Sequence, residues 1–153
     1  MKYLISIIAV LILTVTLYAG DLTEEEKEVL ETLNTQLGHV FAGQIDENTK
    51  YLHPRFVHWG TFSPVPAPDS EAGRRLWKLE RDNSSAEHLG FEIVPLTVVV
   101  VGNTAILNVY LNILMKPKPD SEPVWRQVLL HNTWVKEKGR WLLLATYNTF
   151  PEE

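Results

Sequence analysis

The sequence predicts an α+β domain with helices first and a long antiparallel sheet last. Three observations predict it. Apolar residues between residues 23 and 43 recur at helical spacing, those from Phe91 onward follow strand patterns, and Gly102-Asn103 and Lys138-Gly139 are hairpin signals. The chain has 153 residues and no cysteine, so its stability must come from core burial rather than disulfides.

The N-terminus reads as an export signal over residues 1–20. Met1-Lys2 gives a positive start, Tyr3 to Tyr18 is uncharged and rich in Leu, Ile and Val, and Ala19-Gly20 supplies small residues ahead of Asp21. An apolar run of roughly 16 residues is short for a bilayer, which needs about 20. Cleavage is therefore expected over anchoring, leaving no stable membrane insertion. Residues 21–153 suit one domain with a single core. An exported chain without cysteine points to a periplasmic or secreted protein of a bacterial envelope. The formal net charge of −5 argues against nucleic-acid binding, which needs a basic patch.

The first helix begins at Thr23, which makes a capping box with Glu26, and Glu24 and Glu25 add negative charge at the positive end of the helix dipole. Leu30, Leu33, Leu37, Val40 and Phe41 form its buried stripe, and Gly43 stops it. Asp46 is placed to cap a second short helix through Leu52, ended by Pro54. Phe56 to Gly60 reads as a short strand, and Ser63 to Asp69, with three prolines, as an irregular loop. A third helix is expected from Ser70 to about Asp82, with Leu76, Trp77 and Leu79 as its apolar content. Its Arg74, Arg75, Lys78 and Arg81 are interleaved with acids and read as a solvated face. Strands follow at Phe91–Val101, bent or bulged at Pro95, then at Thr104–Met115, Val124–Lys136 and Arg140–Phe150.

Regular pairing across Lys138-Gly139 puts Val135 opposite Leu142, Thr133 opposite Leu144, His131 opposite Thr146 and Leu129 opposite Asn148. With matching register in the preceding hairpin, one face carries Asn108, Tyr110, Asn112, His131, Thr146 and Asn148. The other carries Leu107, Val109, Leu111, Asn132, Trp134 and Tyr147. Two uses of the polar face stay open: it meets solvent or a second subunit, or it lines a cavity.

Val101-Gly102-Asn103-Thr104-Ala105, His131-Asn132-Thr133-Trp134-Val135-Lys136, Gly139-Arg140-Trp141 and Ala145-Thr146-Tyr147-Asn148-Thr149 resemble the closing hairpins of the nuclear transport factor 2-like superfamily. The SnoaL-like and calcium/calmodulin-dependent kinase association-type branches are the nearest in pattern. The resemblance implies a cone-shaped domain, with N-terminal helices packed into a highly curved antiparallel sheet, a pocket at the open end, and a homodimer. It also implies functions from isomerase, cyclase and dehydratase to non-catalytic binding, so the fold does not choose among them.

Isomerases of that superfamily place a catalytic carboxylate near the first strand, where this chain reads Arg55-Phe56-Val57-His58-Trp59-Gly60 with no acid. Histidine is what remains for proton transfer. His58 and His131 are the candidate catalytic pair, with Tyr110 or Tyr147 polarising a carbonyl. Trp59, Trp77, Tyr110, Asn112, Tyr147 and Asn148 are the candidate ligand-binding residues, because aromatic walls with a few polar groups suit a small hydrophobic or aromatic molecule. The scattered histidines match no metal-ligand spacing, and no phosphate-binding glycine loop or nucleophile elbow occurs, so neither metal nor cofactor is expected. The functional expectation is an exported small-molecule-binding domain. A histidine-based, cofactor-independent lyase or isomerase and a dimeric protein-interaction module are the alternatives.

Overall fold

The computed structural model describes residues 22–60, 67–68, 86–118 and 120–151. The segments expected to be an export signal and a third helix with Trp77 lie outside them. Helix α1 (Glu24–Phe41) starts as the sequence predicts. Glu26 N–H donates to Thr23 Oγ1 at 3.3 Å and Thr23 N–H donates to Glu26 Oε2 at 2.8 Å, a reciprocal cap that satisfies two otherwise orphaned donors. Its buried stripe is Val29, Leu33, Gln36 and Leu37, while Leu30 and Phe41 pack at the margin. Gly43, at φ 75°, carries the chain out of the helix.

Helix α2 is shorter than expected (Ile45–Thr49) and begins after Gln44 without a side-chain cap. It is tied down from inside: Gln36 Nε2 donates to Asn48 Oδ1 at 2.5 Å, both residues buried. Strand β1 (Leu52–Trp59) takes in His53 and Pro54, which were expected at the helix end. The strand tolerates Pro54 because its pairing breaks register between Leu52 and Val57, where a residue without an N–H costs no ladder bond. Part of the expected Ser63–Asp69 loop is instead strand β2 (Ala67–Pro68), which pairs with Val57 and His58.

The four long strands are β3 (Glu87–Val101), β4 (Thr104–Lys116), β5 (Val124–Glu137) and β6 (Arg140–Thr149). With β1 and β2 they make one open, mixed sheet in the order β2-β1-β6-β5-β4-β3. β1 runs parallel to β6, and the other neighbours are antiparallel. Both tight turns form where expected. Lys138 and Gly139 take φ of 50° and 76°, which suits the twist of a two-residue hairpin.

The inner face of the sheet meets α1. Ala105, Leu107, Val109, Leu111, Val128, Leu130, Trp134 and Leu143 bury there against Val29, Leu33 and Leu37. At one end Lys136 Nζ sits 2.6 Å from Glu28 Oε2 and 5.3 Å from the centre of the Trp141 ring, pinning α1 to the β5–β6 hairpin.

Candidate functional site

The β4–β5 register is the expected one: Asn108 faces His131, Tyr110 faces Leu129 and Leu107 faces Asn132. The β5–β6 register is not. Val135 pairs with Leu142 as expected, but the ladder slips between Trp134 and Thr133, which pair with Leu143 and Ala145. Leu144 is the extra residue of a β-bulge. Every residue beyond it is displaced by one, which exchanges the two faces. Thr146 and Asn148, expected beside His131, therefore join Asn132 and Leu130 on the inner face, and Tyr147 moves outward to lie opposite His131.

The bulge gathers a polar set among the apolar residues of the inner face. Thr146 Oγ1 donates to Asn132 Oδ1 at 2.6 Å, and Asn132 is 2% exposed. Parallel pairing of His58 with Thr146 brings β1 alongside, and His58 Nε2 lies 2.9 Å from Asn148 Oδ1. Since an amide oxygen only accepts, the imidazole donates in this pair. Gly60, buried at the end of β1, permits the approach: a Cβ there would stand 3.0 Å from Asn148 Oδ1 and 3.2 Å from His58 Nε2. Two residues along β5 from Asn132, on the same face, Trp134 is fully buried, and its indole Nε1 has no hydrogen-bond partner among the described residues. A buried donor left unpaired costs about 1–3 kcal/mol, so an acceptor supplied from outside would repay its binding there. No carboxylate stands on the inward positions of the described strands. Among the described residues no group of three His, Asp or Glu could hold a metal ion.

The structure does not bring the two candidate catalytic histidines together. His131 lies on the outer face with its Nδ1 2.6 Å from Asn108 Oδ1, whereas His58 lies on the inner one. Of the candidate ligand-binding residues, Asn148 joins the inner set. Tyr110, Asn112, Trp59 and Tyr147 are on the outer face, where the last two rings meet edge to face with centroids 6.1 Å apart. Asn112 is held in a rung between Glu92 and Gln127. Regular alternation alone misplaced Thr146 and did not mark Gly60. Three consecutive leucines, Leu142-Leu143-Leu144, were the available sign, because a strict in-and-out strand does not place three of them in a row.

No protein-family profile and no curated protein matches the chain in sequence. Solved structures do match its fold. The hub homology domain of calcium/calmodulin-dependent kinase II from Chlamydomonas reinhardtii superposes with a TM-score of 0.72 at 15% identity, covering 85% of this chain and 100% of that one. An NTF2-like protein of unknown function from Pseudomonas putida gives 0.71 at 16% identity over 88% and 92%. A ketosteroid isomerase-like protein from Erwinia carotovora gives 0.70 at 11% identity over 86% and 100%. The fold is thus the nuclear transport factor 2-like one that the closing motifs of the sequence implied. Identities this low establish the fold alone.

Proposed function

We propose that this chain is an exported small-molecule-binding domain whose ligand sits against the inner-face set of His58, Asn132, Thr146 and Asn148. The observation that carries the reading is a polar cluster, with an indole N–H that has no partner among the described residues, set among the apolar residues of the inner face. A small hydrophobic or aromatic molecule bearing one acceptor group, a carbonyl or carboxylate oxygen, suits those surroundings: apolar walls supply burial and the few donors supply orientation. Folds of this kind include ketosteroid isomerase-like proteins, which supports a ligand site without assigning a reaction.

A screen of melting temperature against such molecules tests the reading. A ligand at a hundred times its dissociation constant adds about 2.7 kcal/mol, or about 10 °C for a domain of this size. Asn132→Leu, which removes the amide from the inner set, abolishes the shift. A flat screen on a folded protein refutes the proposal. A lyase or isomerase is the second reading, supported by the orientation that Asn148 imposes on the His58 imidazole. Turnover of a hit by the wild type, lost in His58→Ala with binding kept, selects it.

The outer face suggests how the chain assembles. Its outward positions from Thr104 to Leu114, Trp125 to Val135 and Leu142 to Thr149 include no Asp, Glu, Lys or Arg. Strands about 4.8 Å apart, rising about 3.4 Å per residue, make this a face of about 490 Å², more than half of the roughly 800 Å² per partner of a stable interface. A second copy fits because an uncharged surface does not repel itself. Trp59 and Tyr147, 45% and 42% exposed, supply the aromatic anchors that interfaces favour. The proposed assembly is a homodimer, sheet face to sheet face.

A further inference from the structure

We propose that the inner-face site selects an uncharged carbonyl, a ketone or amide oxygen, over a carboxylate, and that Asn132 is the residue that sets this choice. The inference rests on the inner-face reading above and names the chemical class of its ligand. Asn132 is 2% exposed, and its Oδ1 already accepts from the Thr146 hydroxyl at 2.6 Å. Its Nδ2 meets no acceptor among the described residues, yet it is not sealed from solvent, so the little surface that Asn132 keeps includes its N–H groups. Thr146 is thus a positioning residue: by engaging the oxygen it leaves the donor side of the amide turned to an incoming molecule.

Hydrogen-bond polarity makes the first selection. An amide nitrogen carries N–H bonds and does not accept, and the same holds for an indole nitrogen. Trp134 Nε1, on the same face and about 7 Å along β5, is a second donor without a partner among the described residues. An oxygen acceptor suits either group. An ammonium group, which offers only hydrogens, suits neither.

Charge makes the second selection, between a carbonyl and a carboxylate. Taking an ionised carboxylate out of water costs far more than taking a carbonyl, unless a cation offsets the cost. On β5 the basic residues at inward positions are Arg126 and Lys136. Arg126 is six residues from Asn132, about 20 Å along the strand. Lys136 stands two residues beyond Trp134, but its Nζ is already 2.6 Å from Glu28 Oε2 and 3.8 Å from Glu25 Oε1. That cluster holds two carboxylates against one ammonium, so it repels a further anion rather than attracting one.

Three naphthalenes that differ in one group test the proposal: 2-acetylnaphthalene, 2-naphthoate and 2-naphthylmethylammonium. Their binding to the purified chain is measured by isothermal titration at pH 8.0, where imidazoles are ordinarily uncharged, with far-UV circular dichroism confirming the fold. Wild type binds the ketone tighter than either charged probe by about 10-fold or more. Asn132→Asp keeps an acceptor for Thr146 and replaces the N–H groups by a carboxylate oxygen. It binds the ketone about 10-fold more weakly than wild type and prefers the ammonium probe. Naphthoate binding to wild type as tightly as the ketone would overturn the inference and leave the inner-face site standing, a comparison that needs no variant. An Asn132→Asp protein with the wild-type order of preference would overturn it as well. A folded wild type that binds none of the three would overturn the inner-face reading and this inference with it.

Discussion

Replacing Gly60 tests the packing on which the inner-face site depends. An added Cβ would lie 3.0 Å from Asn148 Oδ1 and 3.2 Å from the His58 Nε2 and Cε1 atoms, which are the groups joined at 2.9 Å. Ordinary contact begins near 3.4 Å, so in Gly60→Ala either the hydrogen bond opens or the backbone moves. Loss of the bond costs about 1 kcal/mol. Burying the methyl contributes about 0.8 kcal/mol, and the stiffer unfolded chain a further ~0.4–1 kcal/mol. These terms nearly cancel, so the melting temperature of Gly60→Ala stays within about 4 °C of wild type. The informative readout is the His58 imidazole, whose nitrogen and proton resonances shift when the Asn148 contact opens. Gly60→Val adds two more carbons to the same space and overpacks it by about 1–3 kcal/mol, lowering the melting temperature by about 4–11 °C. A valine variant that melts like wild type, with the imidazole resonances unmoved in the alanine variant, would refute a close-packed His58–Asn148–Gly60 unit.

Two further predictions concern the frame around the site. Thr23→Ala removes the α1 cap and costs about 1 kcal/mol, read as a melting temperature lower by about 4 °C; an unchanged value would mean that tertiary packing alone holds that end of α1. The hydrogen bond from Lys136 holds the Glu28 carboxyl below its ordinary 4.5, and the same bond raises Lys136 above 10.5. A depressed acid contributes stability above its unfolded pKa that is lost as pH falls, and a raised base contributes below its unfolded pKa until pH rises through the folded one. The pair thus acts between about pH 4.5 and 10.5, so wild type and Lys136→Met differ in thermal stability at pH 7 and converge in acid, as the pH falls from 4.5 through the lowered pKa of Glu28. A difference that persists unchanged in acid would assign it to lost packing of the Lys136 stem on Trp141.

The sequence announced the parts of this fold that depend on local chemistry. Thr23 and Glu26 cap α1 because their side chains reach only the first turn, and the glycine-containing turns fix two hairpins wherever the strands lie. With those turns fixed, alternation placed Asn108 beside His131 and Leu107 beside Asn132 correctly. What stayed hidden depends on partners distant in the chain. Pro54 reads as a helix stop until β6 is seen to accommodate it at a break in register. Gln36 has no place in the predicted apolar stripe, and only Asn48, twelve residues on, explains its burial. The Leu144 bulge gives no turn signal, only a run of leucines, and it moved half of the polar set through the sheet. The inner site was therefore legible in its residue types but not in its membership.

The bulge also gives β6 something like a reading frame. Up to Leu143 the strand feeds the core, and past Leu144 a new phase begins in which even-numbered residues point inward and odd-numbered ones outward. Loss of Leu144 itself would leave that phase intact, since Ala145 already stands opposite Thr133 as the next regular pair. Gain or loss of one residue anywhere from Ala145 to Tyr147 would send Asn148 out of the site. Along this strand, then, lineages carrying the fold are free to vary in length at a single position, and descendants that use the inner site are expected to differ there and not beyond it.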